Sequence, residues 1–122
     1  MKPPFVGIDL IEPARVERLL RRNPGVRDEL FLPGELAYAE RQSDPLQSLA
    51  SRYAAKEAVV KALGVDGWDP LDIEIVEGGE RTSLRLHGVL EERATELGVE
   101  VTISMTHLEE LAGAVAMARP DR

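Results

Sequence analysis

Three residues of this 122-residue chain have types and spacing that could do chemistry: Asp9, Glu57 and Lys61. Asp9 is the one acid within Val6-Gly7-Ile8-Asp9-Leu10-Ile11. An ionised carboxylate left unpaired in so apolar a segment costs several kcal/mol, so a metal, a basic side chain or exposure at the strand end has to compensate. Asp is rarely buried unpaired, and taken alone Asp9 is better read as a helix cap or a solvated residue. Glu57 falls on the stripe Leu46, Leu49, Tyr53 and Val60, where an amphipathic helix normally carries no acid. Lys61 follows one turn later, and a plain i,i+4 salt bridge worth a few tenths of a kcal/mol explains that spacing slightly better than a site does. Taken together, two inward acids and a lysine suit a hard cation with a phosphate. Magnesium takes oxygen ligands, commonly one or two carboxylates with waters and phosphate oxygens. Lysine serves phosphate as a point charge. Neither a Walker loop nor a dinucleotide fingerprint occurs.

The elements that must position these residues read as follows. Phe5 to Ile11 is a short strand. Pro13 starts a helix running to about Arg22 with Val16, Leu19 and Leu20 inward, and Asn23-Pro24-Gly25 stops it. Phe31 to Gly34 marks a turn, followed by a short helix over Glu35 to Arg41. Ser43-Asp44-Pro45 opens a long helix from Pro45 to Leu63, ended by Gly64. Ala54, Ala58, Ala62 and Gly64 leave small surfaces on it, where a ligand or another backbone can come close. Asp72 to Glu77 and Thr82 to His87 alternate as two strands of a hairpin turning at Gly78-Gly79. Val89, Leu90, Arg93, Ala94 and Leu97 follow helical spacing up to Gly98. Val99, Val101, Ile103 and Met105 alternate in a strand whose next inward position is His107. After a turn near Glu109 and Glu110, Leu111 to Ala118 alternates again, with Ala112, Ala114, Ala116 and Ala118 forming a face suited to close helix packing. Helices first and antiparallel strands later read as α+β, with the N-terminal strand and helices packed on a mainly antiparallel sheet and residues 1–122 forming one domain.

Aromatics make up only 4% of the chain, so the core has to be aliphatic. The absence of cysteine excludes a disulfide scaffold and thiolate chemistry, and two histidines, His87 and His107, argue against a histidine-rich zinc site. A net charge of −7 argues against a general nucleic-acid binder. No apolar leader or membrane span is read near Met1, and the cytoplasm is the expected address. Against the acidic total, Arg15, Arg18, Arg21, Arg22 and Arg27 crowd one stretch, which suggests a specific anionic partner. Arg15, Arg18 and Arg22 share one helical stripe; read without other information, it is a solvated basic face.

Three blocks, in order, resemble the holo-acyl-carrier-protein synthase family, the small-subunit class of 4′-phosphopantetheinyl transferases. Gly7 to Val16 is similar to its opening G-[IV]-D-[IVL]-x-x-x-x-R-[IVL]. Arg52 to Gly64 resembles R-[FWY]-A-A-K-E-A-x-x-K-A-L-G, the most specific block. Ile103 to His107 resembles its S-[LI]-S-H segment, and Phe31 to Glu35 its F-T-x-x-E segment without the threonine.

The resemblance implies transfer of 4′-phosphopantetheine from coenzyme A to a serine of an apo acyl carrier protein, releasing adenosine 3′,5′-bisphosphate, with fatty acid biosynthesis as the expected setting. On the matched positions, Asp9 and Glu57 would hold Mg2+. Lys61 would hold the phosphates and stabilise the departing one, in a reaction governed by positioning and charge neutralisation. The base for the serine is either Glu57 itself or a metal-held water. Arg52 would bind coenzyme A, and Ser104, Thr106 and His107 would meet its nucleotide end across a subunit boundary; His107 alone fits a strand-closing core histidine equally well. Arg15, Arg18 and Arg22 would dock the acidic carrier. Members of this length are expected to form trimers with a site at each subunit boundary.

Two stretches depart from the family's pattern: Val65 to Pro70 is shorter than its glycine-rich loop, and Gly79 to Thr82 lacks its Gly-x-Pro. Both bear on how coenzyme A is covered. The rival readings are a magnesium-dependent hydrolase of a coenzyme A-like phosphate, and a carrier-binding subunit without catalysis.

Overall fold

The long helix of the chain is cut to length by its end residues. Asp44 accepts a hydrogen bond from the Gln47 amide (3.1 Å), Pro45 takes the first helical position, and Gly64 closes the last turn at φ 64°, a left-handed conformation that a side chain disfavours. The structure, a computed structural model, describes residues 4–77 and 82–121. It runs β1 (Phe5–Ile11), α1 (Pro13–Arg22), α2 (Val26–Leu30), α3 (Pro33–Glu40), α4 (Pro45–Leu63), a 3-10 turn (Pro70–Asp72), β2 (Ile73–Val76), β3 (Ser83–Leu86), α5 (Gly88–Leu97), β4 (Val99–Leu108) and β5 (Leu111–Pro120). The class is α+β, as expected. The short helix α2 has no counterpart in the sequence reading; five residues are too few for a periodic signal. The turn expected at Gly78-Gly79 lies outside the described residues.

Antiparallel pairing is divided between two sheets, β1-β5-β4 and β2-β3. On β5, Ala112, Ala114, Ala116 and Ala118 are buried, and α4 packs over them with Ala54, Ala55, Ala58 and Ala62. Gly7 on β1 lets the helix approach further: a Cβ there would stand 2.0 Å from the Ala58 carbonyl oxygen. Glycine and alanine along both surfaces therefore press α4 against the sheet. A satellite core of Phe31, Ala39 and Leu49 seats α3 beside it. Trp68, the sole tryptophan, packs half-buried against the main core. Among the described residues no helix is long and apolar enough to cross a membrane.

The second face of the three-stranded sheet is uncovered. Val6, Ile8 and Leu10 of β1 are 60%, 59% and 63% exposed, and Val115 and Met117 of β5 continue the same apolar surface.

Candidate active site

Alternation along β1 turns Gly7, Asp9 and Ile11 toward α4. Asp9 lies opposite Ala114 in the ladder, whose small side chain leaves room beside the carboxylate. On α4, Tyr53, Glu57 and Lys61 recur at four-residue intervals and share one face. α1 closes the third side with Arg15, Arg18 and Arg22. All seven residues line one cleft of about 670 Å³. Asp9 does not cap α1, whose N-cap is Glu12.

Within the cleft, Lys61 Nζ donates to Asp9 Oδ1 and to the Ile8 carbonyl, each at 3.0 Å. The expected i,i+4 partner was Glu57; the ion pair forms instead across the helix–strand boundary. Burial, and after it the Glu57 carboxylate, hold the Tyr53 phenol above its ordinary range, while Arg15 pulls it down. Carboxylates on the floor and guanidinium groups on the wall thus share one enclosed space.

The donor set fits Mg2+. Asp9 and Glu57 offer hard carboxylate oxygens without a thiolate or imidazole among the lining residues. Among the described residues no group of three or more His, Cys, Asp or Glu side chains could hold a metal by itself. Two carboxylates completed by water and phosphate oxygens is the arrangement magnesium commonly accepts.

The remaining expected residues lie elsewhere. Arg52 and His107 line a second cleft of about 270 Å³ with Tyr38, Ser48, Glu77 and Met105. α4 crosses the sheet on a diagonal, its first turn anchored to β4 by Gln47 Nε2 donating to the Leu108 carbonyl (2.7 Å) and its last turns lying over β1. The two clefts therefore open at opposite edges of the sheet. Arg52 pairs with Glu77, donates to the Ser48 hydroxyl (3.1 Å) and stacks over the Tyr38 ring, yet its buried Nε has no partner among the described residues. Ser104 and Thr106 stand in the opposite phase of β4 from His107 and point to the uncovered face, beside Val115 and Gly113.

Three charged residues that form ion pairs carry no role in the sequence reading: Lys56, Glu35 and Glu77. Lys56 and Glu35 form a fully buried ion pair at 2.7 Å, and burial holds the Lys56 ammonium below its ordinary value. The available signal was a lysine inside the run Ala54-Ala55-Lys56, on a helix face with no room for a free charge. Glu77, the partner of Arg52, has no local signal because it comes from 25 residues downstream.

The fold and its site can be set beside known proteins. The family model of the 4′-phosphopantetheinyl transferase superfamily matches residues 5–116. The holo-[acyl-carrier-protein] synthase of Moorella thermoacetica is 43% identical over 116 residues, covering 91% of this chain and 90% of that one. That of Streptomyces avermitilis is 42% identical over 117 residues, covering 93% and 94%. Among solved structures, the Chronobacterium ammoniagenes ACPS–CoA complex superposes with a TM-score of 0.87 at 27% identity, covering 99% of this chain and 100% of that one. The Helicobacter pylori holo-[acyl-carrier-protein] synthase in complex with coenzyme A gives 0.78 at 25% identity, covering 93% and 98%. Sequence and fold agree across nearly the full length of these chains, and this chain belongs to the holo-[acyl-carrier-protein] synthases of the 4′-phosphopantetheinyl transferase superfamily.

Proposed function

We propose that this chain transfers 4′-phosphopantetheine from coenzyme A to a serine of an apo acyl carrier protein in the cytoplasm, with Mg2+ held by Asp9 and Glu57. One observation carries the reading: the carboxylates and lysine suited to a metal-bound pyrophosphate open into the same cleft as the arginine stripe suited to an acidic protein. A hydrolase of free coenzyme A has no use for that stripe.

In the reaction the serine oxygen bonds to the phosphorus that carries pantetheine. The bond from that phosphorus to the bridging oxygen breaks, and its electron pair leaves with adenosine 3′,5′-bisphosphate. Glu57, or a water that the metal would hold beside it, accepts the serine proton. Lys61 lies where it can turn from Asp9 to the departing phosphate. Mg2+, when bound, supplies charge neutralisation to the pyrophosphate. Arg15, Arg18 and Arg22 dock the acidic helix of the carrier beside the serine it presents.

Arg52 and His107, which share the second cleft, bind the nucleotide end of coenzyme A, and we read them as meeting the Asp9 cleft of a neighbouring copy; Ser104 and Thr106, on the other face of β4, do not share that cleft. Support comes from the two clefts opening at opposite sheet edges and from the apolar face of Val6, Ile8, Leu10, Val115 and Met117, a surface of the kind that marks an interface. A homotrimer with sites at its boundaries satisfies both.

The test is to mix the protein with coenzyme A, Mg2+ and an apo carrier protein, then weigh the carrier. A gain of one phosphopantetheine with release of adenosine 3′,5′-bisphosphate is expected. Coenzyme A breakdown without a carrier would make the chain a hydrolase, and carrier binding without turnover would make it a non-catalytic subunit.

A further inference from the structure

Where α4 crosses β5 the contact is methyl against methyl, flanked by larger side chains such as Ile11, Ile103 and Met105 from the neighbouring strands. Ala54, Ala55, Ala58 and Ala62 meet Ala112, Ala114, Ala116 and Ala118, with Gly7 beneath. Such surfaces fix how closely the helix lies, yet they resist rotation about its axis only weakly, since neighbouring methyl groups are interchangeable. Rotation matters here. A turn of about 10° moves a carboxylate at the helix surface, some 6 Å from the axis, by about 1 Å. A misplacement of that size can cost about a hundredfold in rate.

Gln47 and Lys61 make directional bonds to the sheet near the two ends of α4, and Lys56 supplies direction in its buried middle. Lys56 is 0% exposed, and its ammonium donates to three acceptors: the Leu30 carbonyl at 2.8 Å, Glu35 Oε1 at 2.7 Å and the Pro70 carbonyl at 3.0 Å. The Phe31 ring lies 5.4 Å from the same atom. Glu35, 2% exposed, accepts in addition from the Leu32 amide on Oε1 (2.8 Å) and the Ile75 amide on Oε2 (3.2 Å). Every N–H of the ammonium and both carboxylate oxygens are occupied, so neither group is available to a substrate. The bonds instead tie α4 to the end of α2, the start of α3, the 3-10 turn and β2. One turn earlier on the same face, Arg52 pairs with Glu77 just after β2. Adjacent residues on a helix point about 100° apart, so holding Lys56 on this side aims Glu57 at the cleft and fixes the stripe that carries Lys61.

We propose that the buried Lys56–Glu35 pair is a positioning device that sets the rotation of α4 and so aims Glu57 and Lys61 into the cleft; the role of the cleft rests on the transferase reading above. A buried ion pair seldom outperforms an apolar replacement in stability, and what these charge-assisted bonds add is direction.

The test is Lys56→Met in the full chain, assayed well below its melting temperature with coenzyme A and carrier saturating, together with the crystal structure of the variant. The expected result is a kcat lowered about thirtyfold or more with KM for coenzyme A changed less than about threefold, and loss of the Lys61–Asp9 contact. Should Lys56→Met fail to fold, Glu35→Gln, which keeps the shape and removes the charge, is read by the same two measurements. A folded variant with wild-type kcat overturns the proposal, and so does one whose Lys61–Asp9 contact is intact. If the wild-type chain shows no transfer, the transferase reading fails, while the structural arm still decides the positioning role.

Discussion

Lys61 on α4 and Asp9 on β1 are joined at 3.0 Å, with the Lys61 side chain 53% exposed and that of Asp9 18% exposed. A half-solvated pair of this kind contributes at most about 1 kcal/mol to stability, so its value lies in where it holds two charges. Asp9→Ala and Glu57→Ala should leave the chain folded and abolish metal-dependent transfer. Lys61→Met frees Asp9, so Mg2+ binding without coenzyme A, measured by calorimetry, should tighten. Transfer should nonetheless slow about a hundredfold, the scale of losing one preorganised charge contact. Full activity in either alanine variant would remove the metal assignment.

Reversing one charge on the arginine wall separates docking from chemistry. Arg15→Glu is expected to raise KM for the carrier by about tenfold or more and to flatten its dependence on salt, with KM for coenzyme A nearly unchanged. Steady-state kinetics at two ionic strengths reads both. The opposite split between the two substrates would put the carrier elsewhere.

At Gly7 the strand carrying Asp9 lies directly against the backbone of the helix carrying Glu57. In Gly7→Ala the new methyl meets backbone rather than a side chain, at 2.0 Å from the Ala58 oxygen and 2.7 Å from the Ala62 nitrogen. Overpacking against backbone costs about 3 kcal/mol or more. A lowered melting temperature with impaired transfer is expected, and an unchanged melting curve would contradict the packing described.

The Tyr53 phenol gives the cleft an optical reporter. Burial and Glu57 raise its folded pKa above the ordinary value of 10.0. Below pH 10 the phenol is protonated in both states and its contribution to folding is fully present. As pH climbs through the folded value, that contribution is lost, because the unfolded chain releases the proton more readily. Alkaline denaturation curves should therefore fall less steeply in Tyr53→Phe. In tyrosinate absorbance, Glu57→Gln should shift the Tyr53 transition down and Arg15→Ala should shift it up. Shifts of the reverse sign would show that Glu57 and Arg15 do not face the phenol.

The uncovered sheet face predicts assembly. Ile8→Glu places a charge in its centre, next to Val6 and Leu10. Sedimentation should report a trimer for the wild type and smaller species for the variant, with transfer activity falling in parallel. A monomeric, fully active wild type would place a whole site in one copy.

Much of the fold was legible in the chain itself, because local chemistry decides element ends. Pro13 and Pro45 start helices, Gly64 and Gly98 close them, and the alternating Ala112 to Ala118 forecast a strand face pressed on a helix. Asp9, Glu57 and Lys61 stood out as charges on apolar stripes, and the matched blocks gave them a common role. Pairing across distance was not legible. Spacing assigned Lys61 to Glu57, four residues away, whereas the fold gives it to Asp9, 52 residues away, because Gly7 lets the helix settle onto the strand. Lys56 looked like one more motif lysine until Glu35, Leu30 and Pro70 closed around it. Ser104 and His107 sit three residues apart in the chain but on opposite faces of one strand. The types of charge and the ends of elements are local properties, which the sequence determines by itself. Which charges meet depends on how closely α4 lies and how it is turned, and only the tertiary structure decides that.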